Sequence, residues 1–189
     1  MKLAIVQPNF FPYKAYYDLA ERVDKFIFLD DFNYSPKNWV NKTIIKLNSS
    51  KFYFRVPVDY KENTATLTKD VKIKGDQWKK KFLKFTKTQY RSCPNFNLVF
   101  PILKEVIELP SENIFDISIK HGCVKKSYHD KIFEICQREK ASTYYTSARN
   151  RGEFDERKFL RANIKISYFT SYENNYSIID SLMSDNNLF

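Results

Sequence analysis

Glycine is scarce in this chain, with three in 189 residues. That leaves no flexible linker and no glycine-rich loop to cradle a phosphate. Cysteine is equally rare, and Cys93, Cys123 and Cys136 are odd in number with no short pair spacing. Such usage argues against a disulfide framework and fits a reducing cytosol. The two histidines, His121 and His129, follow no recognisable nucleophile, and neither a G-x-S-x-G elbow nor a P-loop occurs. Triad hydrolysis therefore finds no support. With Cys123 and Cys136 the histidines match no zinc finger or ribbon spacing, so no metal site is expected. No run approaches the ~18 apolar residues of a membrane span. The apolar start Met1–Val6 stops at Gln7-Pro8, too short for a signal-peptide core and its cleavage site. The expected location is the cytoplasm, with the inner membrane face as the alternative.

What is abundant is aromatic residues and lysine. Phe and Tyr number 17 and 13, and the net charge is +10. The aromatics can fill much of a core while Tyr hydroxyls keep water or a partner. The charge suits anionic partners such as nucleotide sugars, coenzyme A, nucleic acid or a membrane surface. Because the lysines are scattered, a plain solubilising surface explains them equally well. The length suits one compact domain over residues 1–189.

Apolar runs predict strands at Lys2–Val6 and Asp24–Leu29 around a helix over Tyr13–Val23. The second run is nearly unbroken, as in a parallel sheet covered on both faces. Further strands are predicted at Trp39–Lys46, Phe52–Val58, Val71–Lys74, Thr143–Ser147 and Ile164–Phe169. Helices are predicted at Asp76–Arg91, Phe96–Glu108, Lys125–Lys140, Phe154–Asn163 and Tyr176–Met183, with mixed periodicity over Ile114–Lys120 and a frayed tail from Ser184. This alternation predicts a three-layer α/β sandwich with a mainly parallel sheet of about five strands.

Ligands of open α/β sheets bind beyond the carboxyl ends of the strands. Two such ends are polar here. The first carries Gln7 and leads through two prolines to Tyr13; the second carries Asp30 and Asp31, then Tyr34, Lys37, Trp39 and Asn41. If the strands are parallel neighbours, both tips meet at one pocket. Adjacent carboxylates there can hold magnesium, orient a sugar hydroxyl or act as a general base. Successive strand residues face opposite ways, so one of the two is expected to pair with Lys37 or cap the turn. A third strand end, with Ser147 and Arg149, makes either a phosphate grip or an ordinary exposed loop. Trp39 and Tyr34 are candidates to stack on a base or sugar ring, and Lys37 and Arg149 to hold phosphate.

The run QPNFFPYKAYYDLAERVDKFIFLDDFNYSPKNWVNKTIIK resembles the start of the WbqC-like protein family. FRVPV, DQWKKKFLKFTKTQYRSCPNF, ASTYYTSARNRGEFDERKFLRANIKISY and YSIIDSLM resemble later segments of that family, so the likeness covers most of the chain. The resemblance implies a setting in surface-polysaccharide clusters of the O-antigen type. It also implies transferase-like work on a nucleotide- or lipid-linked (amino) sugar with an anionic donor, either a nucleotide sugar or an acyl or aminoacyl compound. Other polysaccharide enzymes are implied as possible partners, and no cofactor is specified. The chain departs from the family at Phe82, where relatives often carry His, and over Asn41–Lys46, where the N-R-N-R-I-K pattern has lost both Arg and the second Asn. Those departures keep a non-catalytic scaffold role open. A nucleic-acid role is disfavoured because no known RNA or DNA module matches. The N-terminal half also resembles the nucleotidylyltransferase-like fold. Its H-x-G-H place reads Phe11-Pro12-Tyr13-Lys14-Ala15-Tyr16 here, so adenylyl transfer is not implied.

Overall fold

A computed structural model describes residues 1–29, 31–48, 50–61, 65–113, 128–170 and 176–185, with only the backbone at 128–130. In chain order the elements are β1 Lys2–Val6, α1 Lys14–Glu21, β2 Lys25–Phe28, β3 Lys42–Leu47, β4 Ser50–Arg55, β5 Val58–Asp59, β6 Lys72–Ile73, α2 Gln77–Tyr90, α3 Phe96–Glu108, α4 Tyr128–Arg138, β7 Thr143–Ser147, α5 Glu156–Arg161, β8 Lys165–Phe169 and α6 Ile178–Ser184. The segment expected over Ile114–Lys120, the predicted helix start at Lys125 and the tail beyond Asp185 lie outside the described residues. No helix among the described residues is long and apolar enough to cross a membrane. Two compact units are interleaved along the chain. One comprises Met1–Gln7, Ala15–Phe32 and His121–Asn174; the other comprises Pro8–Lys14, Asn33–Lys120 and Asn175–Phe189.

The first unit is built on a four-stranded sheet in the order β2-β1-β7-β8, parallel throughout. The unalternating apolar runs demand this, because both faces need cover. Leu3, Ile5, Ile27 and Leu29 point to one face and share a core with Ile132, Ile135 and Cys136 of α4 and Phe159 of α5. The residues between them turn the other way. There Phe26 and Phe28 meet Tyr16 of α1 at ring centroid distances of 5.4 and 6.4 Å. Helices therefore flank the sheet on both faces. Left-handed residues stand just past α4 and α5, Lys140 (φ 53°) and Asn163 (φ 58°), and end both helices in the usual way.

Among the described residues the sheet has four strands rather than about five, and β3 and β4 do not join it. They form a separate antiparallel hairpin in the second unit, with Lys42 opposite Arg55 and Leu47 opposite Ser50. A tight turn through Asn48 (φ 46°) permits only antiparallel pairing. The inner face of the hairpin packs on α2, with Phe52 on Phe85 and Phe54 on Phe82, both at 4.6 Å. A small β5–β6 pair completes the strands.

Two polar clasps hold this unit. Asp180 on α6 is 7% exposed and accepts the backbone N–H of Lys46 at 3.2 Å and the Tyr90 hydroxyl at 2.5 Å. Burial raises the Asp180 carboxyl above its ordinary range against the opposing pull of those bonds. The second clasp holds Phe11, whose φ of 44° is strained for a non-glycine residue. Its carbonyl accepts two hydroxyls, Thr43 at 2.8 Å and Ser177 at 3.0 Å.

Candidate functional site

The strand order puts a topological switch point between β1 and β7. From β1 the chain next adds β2 on one side; from β7 it next adds β8 on the other. Pairing between β1 and β7 runs from Lys2↔Thr143 to Ala4↔Tyr145, yet the strands continue to Val6 and Ser147. On its other side β1 stays paired through Val6↔Phe28. The strands at the switch point thus part toward their carboxyl ends, which is where ligands of open α/β sheets bind.

Gln7 follows β1 directly. Its carbonyl is held by the Tyr16 hydroxyl at 2.9 Å, while its side-chain amide has no hydrogen-bond partner among the described residues. At the end of β7, the Ser147 hydroxyl accepts the Arg149 backbone N–H at 3.3 Å and caps a one-turn helix over Ala148–Asn150. Asn150 donates to the Thr146 hydroxyl at 3.0 Å, which folds the loop back on its strand. Arg149 is left exposed on that turn, whereas Arg151 lies over the Tyr168 ring at 5.0 Å. Gly152 closes the loop at φ 87°, a conformation side chains resist.

At the end of β2, Asp30 lies outside the described residues. Asp31 is 4% exposed and ion-paired through Oδ2 to Lys131 of α4, itself 8% exposed. For Asp31 the partner is therefore Lys131 rather than Lys37. The other Asp31 oxygen, Oδ1, is buried with no hydrogen-bond partner among the described residues. Lys131 is the functional candidate that sequence reasoning missed. Its signal was present: Lys131 lies three residues after Tyr128 and four before Ile135, so it falls within the apolar stripe of its helix.

The remaining candidates belong to the second unit. Tyr13 bridges to Ser177. Tyr34 is 5% exposed with its ring edge-on to Tyr60 at 4.8 Å, and burial raises its phenol; no ring face is offered for stacking. Asn41 is 1% exposed. Its side-chain amide donates to the Val56 carbonyl at 2.9 Å, and its own carbonyl accepts the Val56 N–H at 2.7 Å, so it ties β3 to the end of β4. Lys37 is exposed, and its carbonyl accepts the Lys42 ammonium at 2.8 Å. Trp39 is 42% exposed and stacks on Tyr53 at 6.3 Å. The structure therefore groups Gln7, Asp31, Ser147 and Arg149 in one unit and Tyr13, Tyr34, Lys37, Trp39 and Asn41 in the other.

No group of three or more His, Cys, Asp or Glu among the described residues could hold a metal ion. Of the residues considered for zinc, His121, Cys123 and the His129 side chain lie outside the described residues. Cys136 sits in the core, and burial pushes its thiol up to about 12.

Fold and strand ends together define an α/β protein with a parallel sheet whose switch point carries uncharged hydrogen-bonding groups and an exposed arginine, with a buried ion pair past the neighbouring strand β2. The chain belongs to the WbqC-like protein family, whose profile matches residues 7–122 and 119–186. It is also similar to the uncharacterized protein Rv1507c of Mycobacterium tuberculosis, with 25% identity over 193 residues, covering 89% of this chain and 81% of that protein. No solved structure matches the chain significantly.

Proposed function

We propose that this protein is a transferase-like enzyme acting on a nucleotide- or lipid-linked (amino) sugar in bacterial surface-polysaccharide biosynthesis of the O-antigen type. It works as a single WbqC-like domain in the cytoplasm or at the inner membrane face. The observation that carries the reading is the parted β1–β7 switch point, flanked by Gln7 and by Ser147 and Arg149. Family membership supports the setting. In this reading Arg149 and the Ser147 turn bind the anionic part of the donor, a nucleotide sugar or an acyl or aminoacyl compound. Gln7 orients an acceptor hydroxyl or amine through its amide, which can donate and accept. Asp30 and Asp31 are the candidate bases. For Asp31 the proton goes to Oδ1, since Oδ2 is engaged by Lys131. The β1–α1–β2 start also supports a nucleotidylyltransferase-like arrangement of the N-terminal half, without its histidine chemistry.

The test is turnover. The purified protein is incubated with nucleotide-linked amino sugars and acyl donors, and products are read by mass spectrometry. Gln7→Ala, Asp30→Asn, Asp31→Asn and Arg149→Ala should each lower the rate at least tenfold. Full activity in all four would reject the site. A second reading, a non-catalytic scaffold for polysaccharide enzymes, is favoured by Phe82. Where relatives often carry His, this residue is 0% exposed and packs against Phe10 at 5.5 Å. Capture of polysaccharide enzymes by the wild type and by the four variants alike, with no turnover, would select it.

A further inference from the structure

The outer face of the β3–β4 hairpin is unusual in its charge. Residues directly opposite across an antiparallel pair share a face, so Lys42 meets Arg55 and Lys46 meets Lys51. Like charges placed directly opposite destabilise a sheet. Little relieves them: residues 42–55 contain neither Asp nor Glu, the buried Asp180 carboxyl acts on Lys46 alone, and among the described residues none of these four cations forms an ion pair. Between the cationic pairs stands Tyr53, 56% exposed, with Trp39 stacked on it at an interplanar angle of 26°. The Lys42 ammonium lies 4.7 Å from the Trp39 ring centre. The loop beneath is fixed by Lys42 to the Lys37 carbonyl at 2.8 Å and Arg55 to the Pro36 carbonyl at 3.0 Å. The cations and the rings are thus set in place before any ligand arrives.

We infer that this face is a nucleoside diphosphate site: a base stacks on the exposed Trp39–Tyr53 pair while the diphosphate lies across Lys42 and Arg55. Two features select this ligand. The opposed cations require a compact multiply charged anion, which a diphosphate supplies and a neutral sugar does not. On this face one exposed aromatic pair stands among the described residues, which accommodates one base, whereas a tract of single-stranded nucleic acid needs successive platforms. The inference rests on the transferase reading in one respect, choosing a nucleotide over a lipid as carrier of the sugar; it gives the nucleotide's diphosphate to Lys42 and Arg55 and leaves Arg149 and the Ser147 turn to an acyl or aminoacyl donor. Tyr53 and Arg55 are new to the site, and Tyr53 takes the place expected for the buried Tyr34.

The protein has two tryptophans, and Trp78 is only 3% exposed. Trp39 emission therefore reports on the platform. Titration with UDP, and in turn dTDP, GDP and CDP, should quench that emission with at least one of them binding at sub-millimolar concentration. Trp39→Leu should remove the quenching and weaken binding, followed by calorimetry, about tenfold or more. Lys42→Ala/Arg55→Ala should weaken diphosphate binding and flatten its salt dependence; Tyr53→Leu should act as Trp39→Leu does. Circular dichroism melts confirm folding of each variant, and Phe and Tyr conservative exchanges at Tyr53 and Trp39 serve if a leucine variant does not fold. Uridine and pyrophosphate alone should each bind more weakly than UDP. Three results overturn the inference. One is no binding by any nucleotide at millimolar concentration. Another is nucleotide binding untouched by these changes but lost in Arg149→Ala, which would leave the transferase reading standing. The third is tighter binding of a twelve-residue oligothymidylate than of UDP with a steep salt slope, which would assign the face to nucleic acid. Platform binding with no turnover of any sugar donor would instead reject the transferase reading alone.

Discussion

Breaking the Asp31–Lys131 pair should be the most damaging single change to the first unit. Both side chains are almost fully withdrawn from water, at 4% and 8% exposed. Lys131→Met keeps the aliphatic stem and most of the volume, so the loss is electrostatic rather than a cavity. It leaves a buried carboxylate with neither oxygen partnered among the described residues, because Oδ1 has none already. Removing one member of a buried pair costs about 3–5 kcal/mol. With a urea slope of about 2 kcal/mol per molar, the midpoint falls by about 1.5–2.5 M. Replacing both, as Asp31→Leu/Lys131→Met, removes the stranded charge and should return stability to within about 1 kcal/mol of wild type or above it. The cycle of single and double variants then gives a favourable coupling of at least about 2 kcal/mol. A Lys131→Met loss below about 1 kcal/mol with an unchanged slope would refute the reasoning, since it would mean that water reaches Asp31 once the lysine is gone.

Other consequences follow from the burial of single groups. Asp180 has its carboxyl raised by burial above the unfolded value of 3.8, so its contribution to stability is complete below that pH and lost as pH rises through the folded value. The stability of Asp180→Asn should therefore fall less than that of wild type between pH 4 and 7, judged by urea midpoints; parallel curves would contradict it. Tyr168, pushed up to about 12 by burial and then by its bond to Glu156, should add stability that is complete below pH 10 and lost as pH rises through 12. Phenolate absorbance near 295 nm should show one late step missing in Tyr168→Phe. In a Cys93→Ser/Cys123→Ser background, Cys136 should resist a disulfide-exchange reagent at pH 8 until urea is added. Its thiol is buried and held up at about 12, so rapid labelling of the native state would contradict its place in the core.

How much of this was legible depended on range. The first two strands of the parallel sheet were read from their apolar runs, Thr143–Ser147 from its β-rich composition, and the early helix from Tyr16, Leu19 and Ala20, because those signals are local. That the first two strands are parallel neighbours followed from the β–α–β order and is seen in the Val6↔Phe28 register. Membership of β3 and β4 in a sheet could not be read, since the same residues suit a central strand or a free hairpin. Tyr53 and Arg55 stayed hidden for a related reason. Their place beside Trp39 and Lys42 exists only once the register across the Asn48 turn is fixed. The partner of Asp31 comes from a helix far along the chain, and a lysine in an apolar stripe normally reads as a snorkelling surface residue.

The opening run of the chain carries two different physical tasks, which explains why so many of its residues are specialised. Gln7 belongs to the sheet-bearing unit and ends a strand, whereas Pro8–Lys14 belongs to the other unit. That turn is anchored by its own backbone: the Pro12 carbonyl accepts Ile178 N–H at 2.8 Å, and Phe10 N–H donates to the Trp39 carbonyl at 3.2 Å. Phe11 takes a strained φ and is held there by two hydroxyls and by stacking on Phe82 at 5.8 Å. Strain of this kind costs of order 1–3 kcal/mol and persists only where the surroundings over-determine it. A segment that had merely to connect a strand to a helix would not need it. The same anchorage fixes the Trp39 carbonyl and so the loop that presents the indole ring. The strained turn and the exposed aromatic pair are thus parts of one arrangement within the second unit, and loosening the turn should be felt first at Trp39.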